Sequence, residues 1–351
     1  MRSLTLVAAV ASISLAGVAI AQGLPSGGSV SPAQAQFPAC GSPHQQFKRI
    51  LLPTLGGTFT APQAVNDLNQ VVGQTDTATG AEFAFIWSGG ELQSLGTLGG
   101  SFSAALAINN RAQVVGISAT LGDAATHGFV WQGGKMLDLA PLPGGTTSVA
   151  YGINDLGLIV GFSNAPDATD HAVLWKSNVP QELGGLGGTF SVAAAINIRG
   201  QIVGWAATSS GQNEAFLWEH GQMTDLGNLG GSSFAQGIND RGEVAGWSVT
   251  ASGDAHSFLW EEGVMHDLGT LGGANGSAFG INDCRQVVGW STTATSLNEH
   301  AFLWQNGVTT DLTSILGGEP SVAFGINHHG AITGPVYLPQ ARGYLLVPAG
   351  N

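Results

Sequence analysis

Along most of this chain, short stretches rich in Val, Ala, Phe and Trp alternate apolar with small or polar positions, and each is closed by Gly, Asn or Asp. Four such segments recur in a fixed order. They are typified by SVAFGIN at 321–327, QVVGWS at 286–291, HAFLW at 300–304 and VMHDLG at 264–269. Short runs with β-branched and aromatic residues, bounded by turn formers, predict β-strands. Beyond the first residues, no stretch of about 12 residues keeps helical periodicity with few glycines, so no helices are expected.

The order repeats seven times. A glycine pair ends at Gly57, Gly100, Gly145, Gly188, Gly231, Gly273 and Gly318, at intervals of 43, 45, 43, 43, 42 and 45 residues. A unit of this size cannot bury its own apolar face, so neighbours must stack and share a core. The first segment of every copy ends in Asn: Asn66, Asn109, Asn154, Asn197, Asn239, Asn282 and Asn327. Seven residues on there is always a glycine, from Gly73 to Gly334. The stretch between reads as a tight hairpin turn, because Asn bonds the backbone two residues on and tolerates positive φ. The rival reading is a ring of amides at the mouth of a channel.

Two positions before each Asn the residue is Ala or Gly, and in six copies Ala recurs two positions earlier still. Alternation places these on one face, which marks the most crowded strand, nearest an axis. The third segment closes in Trp87, Trp131, Trp175, Trp218, Trp260 and Trp304, with Phe two residues earlier in five copies. Such bulk suits the widening gap between sheets further out; exposed sugar-stacking rings are the alternative. Four strands per unit, small inside and bulky outside, predict an all-β fold, a seven-bladed β-propeller of four-stranded antiparallel blades. FKRILLP at 47–53 supplies only a fourth strand, and GYLLV at 343–347 only a third. Pairing of these N- and C-terminal strands would close the ring and remove exposed edges.

The segments HAFLWQNG (300–307), DLGTLGG (267–273) and GINDRGEVAGWS (237–248) resemble the HAF repeats of probable extracellular bacterial repeat proteins, over about residues 50–348. The first copy lacks the leading HAFLW-like element, the last ends in GYLLV without the tryptophan, and the third has LPGG at 142–145. The resemblance implies secretion and a repeat scaffold, and brings no catalytic residues with it.

The N-terminus changes the picture of location. Arg2, an apolar run from Leu4 to Ala21 and the small-residue end Ala19-Ile20-Ala21 read as a signal peptide over 1–21. Residues 22–46, rich in Pro, Gly, Ser and Gln, read as a flexible linker, and 47–351 as the propeller. The mature chain is expected to be secreted, extracellular or periplasmic, and not membrane-spanning once cleaved. With Lys+Arg 10 against Asp+Glu 23 and a net charge of -13, nucleic acid is a poor partner. Cys40 and Cys284 would lie in an oxidising compartment where pairing is allowed, though their separation alone does not establish it.

No phosphate loop, nucleophile elbow, CxxC pair or zinc-helix motif occurs. His127, His171, His256 and His300 open the third segment, with Asp123, Asp170, Asp254 or Glu299 just upstream. That pattern suggests metal ligands. Equivalent third strands of adjacent blades should lie about 15 Å apart, too far to share an ion, so an imidazole hydrogen bond at the start of the strand is the expected role. The carboxylates Asp138, Glu182, Asp225, Asp267 and Asp311 should cap outer turns. Function is better sought where the repeat breaks, in the polar connections between second and third segments. The candidate ligand-binding residues are Asp123, Asp167, Asp170, Asp254 and Glu299, with His328 and His329, unique to the last copy, near the channel. The expected function is a secreted non-catalytic scaffold binding a glycan or an extracellular protein, with no cofactor. The alternatives are an extracellular hydrolase or lyase with a site in the channel, and an adhesion module stabilised by calcium.

Overall fold

The computed structural model describes residues 46–337 and 339–349. The expected signal peptide, and the linker up to residue 45, lie outside the described residues. Seven four-stranded antiparallel sheets are arranged as blades about a common axis, forming a seven-bladed β-propeller. Each of the first six blades runs in sequence from its innermost to its outermost strand. Blade 6 is representative, with strands Gly272–Ile281, Val287–Thr293, Ser296–Gln305 and Val308–Asp311. Blade 7 takes Gly325–Ile326, Ile332–Tyr337 and Ala341–Pro348 from the C-terminus and its outer strand, Phe47–Leu51, from the N-terminus. The register runs from Phe47 opposite Pro348 to Leu51 opposite Tyr344, so the two chain ends fasten one another as the sequence predicts.

The glycine pair has two separate causes. Gly272 has φ 99°, a left-handed conformation that costs L-residues steric strain. At Gly273 a Cβ would fall 2.2 Å from Thr292 Oγ1, because the strand start lies against its neighbour. The later glycine, seven after Asn, answers to a β-bulge. In six blades one inner-strand residue drops out of the ladder, as Phe279 does between Ala278 opposite Gly289 and Gly280 opposite Val288. In all seven blades the carbonyl two residues before the bulge position sits where the glycine's Cβ would be, at 1.9–2.2 Å. Strict alternation along the inner strand therefore fails at one residue per blade.

The small-residue face is as crowded as its composition predicts. A Cβ on Gly237 would meet the carbonyl oxygen of Phe279 in the next blade at 2.8 Å. Further out, Phe85, Phe129, Phe216 and Phe258 are completely buried, as is Trp175, and Trp87 and Trp131 nearly so. The third-strand aromatics are packed between blades rather than presented to solvent. Cys284 is disulfide-bonded, and no cysteine among the described residues is free; Cys40 lies outside them.

Candidate functional site: two faces of the channel

The hairpin turns joining first and second strands all emerge on one face of the propeller. There each Asn does two jobs. Its Oδ1 accepts from the backbone N–H groups two and four residues on, as Asn109 does from Arg111 and Gln113 at 3.0 Å. Its Nδ2 donates to the backbone carbonyl of the corresponding Asn in the next blade. The seven bonds run from Asn66 through each copy to Asn327 and back to Asn66, at 2.8–3.1 Å, so the ring closes. The turn reading of the sequence holds, and the amides do form a ring, but a structural one rather than a display at a channel mouth. The amides are buried and bond blade to blade.

The residue after each Asn forms a second ring: Asp67, Asn110, Asp155, Ile198, Asp240, Asp283 and His328. Sequence reasoning missed the acids in it; the signal was there, in the position directly following the invariant Asn. Five neighbour bonds of the form N–H to side-chain oxygen link this ring, for example Asp67 to Asn110 and Asp240 to Asp283, both 2.9 Å. His328, a sequence candidate, completes it. Its Nδ1 lies 2.9 Å from Asp67 and its Nε2 3.3 Å from Asp283. The hydrogen bond to Asp67, reinforced by the charges of Asp67, Asp283 and Asp240, outweighs desolvation and raises the imidazole to about 9. Burial pushes Asp67 up, but the bonds and charge of His328 prevail and lower it to about 2. Asp240, Asp283 and His328 could offer a metal three ligand atoms within 4.8 Å of one another, the only such group among the described residues. A protonated His328 is already the cation of this cluster, and an ion would have to displace that proton. His329 is exposed on the same face, and its backbone N–H donates to Asn327.

The other face carries the connections between second and third strands and from blade to blade. The structure sorts the five candidate carboxylates there into spent and unspent. Asp123 accepts from the Ser101 N–H at 2.7 Å, tying down the start of an inner strand. Asp167 holds its own turn through the N–H and hydroxyl of Thr169, at 3.1 and 2.6 Å. Asp254 accepts from Ser252 Oγ at 2.8 Å. The carboxylates of Asp170 and Glu299 make no hydrogen bond or ion pair with any described residue, and burial raises both from the ordinary carboxylate value. No geometry on this face gathers the five into one cluster.

The histidines opening the third strand do not pair with the acids upstream. Each bonds the carboxylate eleven residues later on the outer strand: His127 to Asp138, His171 to Glu182, His256 to Asp267 and His300 to Asp311, at 2.8–2.9 Å. The imidazole thus makes the hydrogen bond at the start of the strand that the sequence reading expects, and its partner on the outer strand makes it a clamp between third strand and fourth. Asp225, Asp267 and Asp311 also cap the following turns, accepting from backbone N–H groups two residues on. In blade 4, Glu214 replaces the histidine and is satisfied by Gln212, Asn228 and Ser233.

The bulges put a third set of groups beside the axis that sequence reasoning missed altogether. The bulge residues are Gln63, Leu106, Tyr151, Ala194, Gln236, Phe279 and Phe324, each partly exposed on the innermost strand. Tyr151 packs on Phe162, ring centroids 6.0 Å apart, and Phe279 on Phe324 at 5.0 Å. Second-strand Trp205 and Trp247 flank Phe234, with Trp247 stacked on it at 4.2 Å. The inner channel wall is therefore partly aromatic, where mainly small residues were expected.

No family model matches the sequence, and no curated protein matches it. Similar solved structures are remote. TolB from Acinetobacter baumannii is 9% identical with a TM-score of 0.49, over 81% of this chain and 65% of that one. An acylaminoacyl peptidase from Pyrococcus horikoshii is 14% identical with a TM-score of 0.49, over 78% and 49%. A gluconolactonase from Xanthomonas campestris is 12% identical with a TM-score of 0.40, over 87% and 100%. This chain thus spans less than two thirds of the first two.

Proposed function

We propose that the protein is an exported, non-catalytic binding scaffold whose ligand contacts lie on the face of the second-to-third-strand connections. The observation that carries this reading is how the polar groups are used. On the turn face, the asparagines, aspartates and His328 are spent on bonds between neighbouring blades, which leaves no base poised over a nucleophile. On the other face, the histidines of blades 2, 3, 5 and 6 are paired on the outer part of the blade, and the two unspent carboxylates sit in different blades, Asp170 near Tyr151 and Glu299 near Tyr337. Export rests on the leader-like N-terminus and on the HAF-like repeats. No helix of the described residues is long and apolar enough to cross a membrane.

Incubating the mature protein with polysaccharides, esters and peptides, with and without calcium, tests this reading. The expected outcome is retention of at least one polysaccharide or protein ligand without turnover. Sustained hydrolysis or elimination, abolished by His328→Ala, would instead establish an enzyme with its site in the channel.

A further inference from the structure

The ring of residues that follows the buried asparagines is not used equally all the way round. Each of its acids gives one oxygen to a backbone N–H of the preceding blade: Asp67 to His328, Asp155 to Asn110, Asp240 to Ile198 and Asp283 to Asp240. The second oxygen is where they differ. At Asp155 it accepts from Asn110 Nδ2 at 3.0 Å, and at Asp67 from the same amide at 2.9 Å and from His328 Nδ1. At Asp283 it faces His328 Nε2 across 3.3 Å. Around that contact, one oxygen each of Asp240 and Asp283 and a ring nitrogen of His328 lie within 4.8 Å of one another. Three successive blades, 5, 6 and 7, each send one ligating side chain to this point.

The spacing is that of a coordination shell. In a four-coordinate site with bonds of about 2.0–2.2 Å, neighbouring ligand atoms stand about 3.3–3.6 Å apart. The 3.3 Å between His328 Nε2 and Asp283 matches that edge, whereas a charge-assisted N–H···O bond closes to about 2.7–2.9 Å. Asp67 supplies the outer support that metal-bound imidazoles use. Its carboxylate holds Nδ1 at 2.9 Å, which keeps a proton on that nitrogen and turns Nε2 toward Asp283. Asp240 and Asp283 are steadied in turn by the Ile198 and Asp240 N–H groups, at 3.0 and 2.9 Å.

Charge and access fit an ion as well. Asp67, Asp240 and Asp283 converge on a single imidazole, so the arc stays negative even with His328 protonated, and a dication relieves it. His328 is exposed and both aspartates are partly exposed, so an ion reaches them from solvent without opening the ring. Histidine stands at this ring position in blade 7 alone; the other copies have Asp, Asn or Ile. The repeat scaffold does not require it, since Asp155 and Asp240 accept the neighbouring N–H without an imidazole.

We propose that Asp240, Asp283 and His328 form a site for one divalent transition-metal ion of the zinc type on the turn face. An imidazole beside carboxylates suits such ions, whereas calcium and magnesium take oxygen ligands and would leave the imidazole out. The ion takes the Nε2 lone pair, and a proton carried there in its absence leaves to solvent. Three protein ligands leave a fourth position for water. The bound ion joins blades 5, 6 and 7, and the bond from His328 to Asp67 extends that link to blade 1 across the seam where the ring closes. The site goes beyond the binding reading above: it lies on the opposite face from the proposed ligand contacts and stands whether or not they hold.

Isothermal titration of the tag-free mature protein, stripped with EDTA, with zinc chloride provides the test, with calcium chloride as the competing probe. Saturable binding of one zinc ion per chain is expected, together with a rise in melting temperature. His328→Gln, Asp283→Asn and Asp240→Asn should each weaken binding at least tenfold. Asp67→Asn, which frees the imidazole without removing a ligand, should weaken it about tenfold. Asp155→Asn, in the same ring but outside the cluster, should change affinity less than about twofold. Asp240→Asn keeps an acceptor for the Ile198 N–H, so its metal-free melting temperature should match wild type, which separates lost ligation from lost fold. Cobalt(II) in place of zinc should give the strong visible bands of a four-coordinate site in wild type and lose them in His328→Gln. The assignment would be overturned by the absence of saturable zinc binding or by binding that survives all three ligand variants, as it would if the outer His–carboxylate pairs held the ion. Calcium binding of equal affinity, or an equal loss in Asp155→Asn and Asp240→Asn, would also overturn it, since either result means attraction to the acidic ring without a coordination site.

Discussion

At the scale of single residues, this propeller is governed by where a Cβ cannot go. Gly289 lies under the Ser277 carbonyl, which a methyl group would approach to 2.0 Å. Gly289→Ala must shift backbone in two strands, and we expect a loss toward or beyond the upper end of the usual overpacking cost of about 1–3 kcal/mol. Gly280→Leu should cost a similar amount, since its Cβ already meets the Phe324 carbonyl and two side chains at 3.1–3.2 Å. Thr295→Leu, on an exposed loop, should leave thermal unfolding unchanged. Equal losses at all three sites would mean that the inner strand is not the tight one. His328 and Asp67 join blade 7 to blade 1, and their titration gives a second residue-scale prediction. An imidazole raised from 6.5 to about 9 contributes stability that is complete below pH 6.5 and lost as pH rises through about 9. A carboxylate lowered from 3.8 to about 2 contributes stability that is present above pH 3.8 and lost as pH falls through about 2. The pair should therefore contribute most between pH 3.8 and 6.5. The melting-temperature gap between wild type and Asp67→Asn should be widest there and close by pH 10. A gap that widens with alkaline pH would refute the assigned protonation.

At the scale of elements, the hairpin turn and the bulge together make the blade a unit that recognises its neighbour. The Asn at the turn is more than a turn former, because its amide reaches the next copy 42–45 residues away. Asn109→Ala would leave the Arg111 and Gln113 N–H groups and the Asn154 carbonyl short of a partner. The expected loss is about 2–4 kcal/mol, since each buried unpaired group costs about 1–3. Asn109→Asp keeps both acceptor bonds and gives up the amide's donations to Asn154 and Gln113, so chemical denaturation of this variant reads what the amide N–H groups contribute, and a loss is expected. No loss in Asn109→Asp would mean that the link between blades carries nothing. Blade 3 shows how an extra residue is absorbed. Its LPGG connection lengthens the unit, and the inner strand begins only at Ser148, three residues after the glycine pair, whereas in blade 6 it begins on the pair.

At the scale of the whole molecule, closure decides stability. Phe47–Leu51 pairs only with Ala341–Pro348, and the Asn ring and the His328–Asp67 contact cross the same seam between blades 7 and 1. Deleting residues 341–351 removes a strand from the middle of blade 7 and strips the N-terminal strand of its partner. Unpaired edges recruit other chains. The truncated protein should therefore elute as aggregates in size-exclusion chromatography and lose its cooperative melt. A monomer melting within a few degrees of full length would contradict closure by these strands.

Much of this architecture was legible in residue order. Copy number, strands per blade, the identity of the innermost strand and the pairing of the chain ends all follow from the glycine pairs, the Asn–Gly spacing and the incomplete first and last copies. They are legible because each copy must solve the same local steric problem, so the solution is written seven times. The sites were not. Asp123, Asp167, Asp254, Asp170 and Glu299 look alike as loop acids, and only folding shows that the first three are spent on nearby hydrogen-bond donors while the last two are not. The aromatic wall was hidden for a related reason. A bulge breaks the period of two, so Tyr151 and Phe279 occupy positions beside the axis that alternation cannot assign. The acidic ring around His328 joins residues from different blades, some from opposite ends of the chain. Local pattern determines the blade because its forces act over a few residues; the two faces of the channel depend on which copies the closed ring brings together.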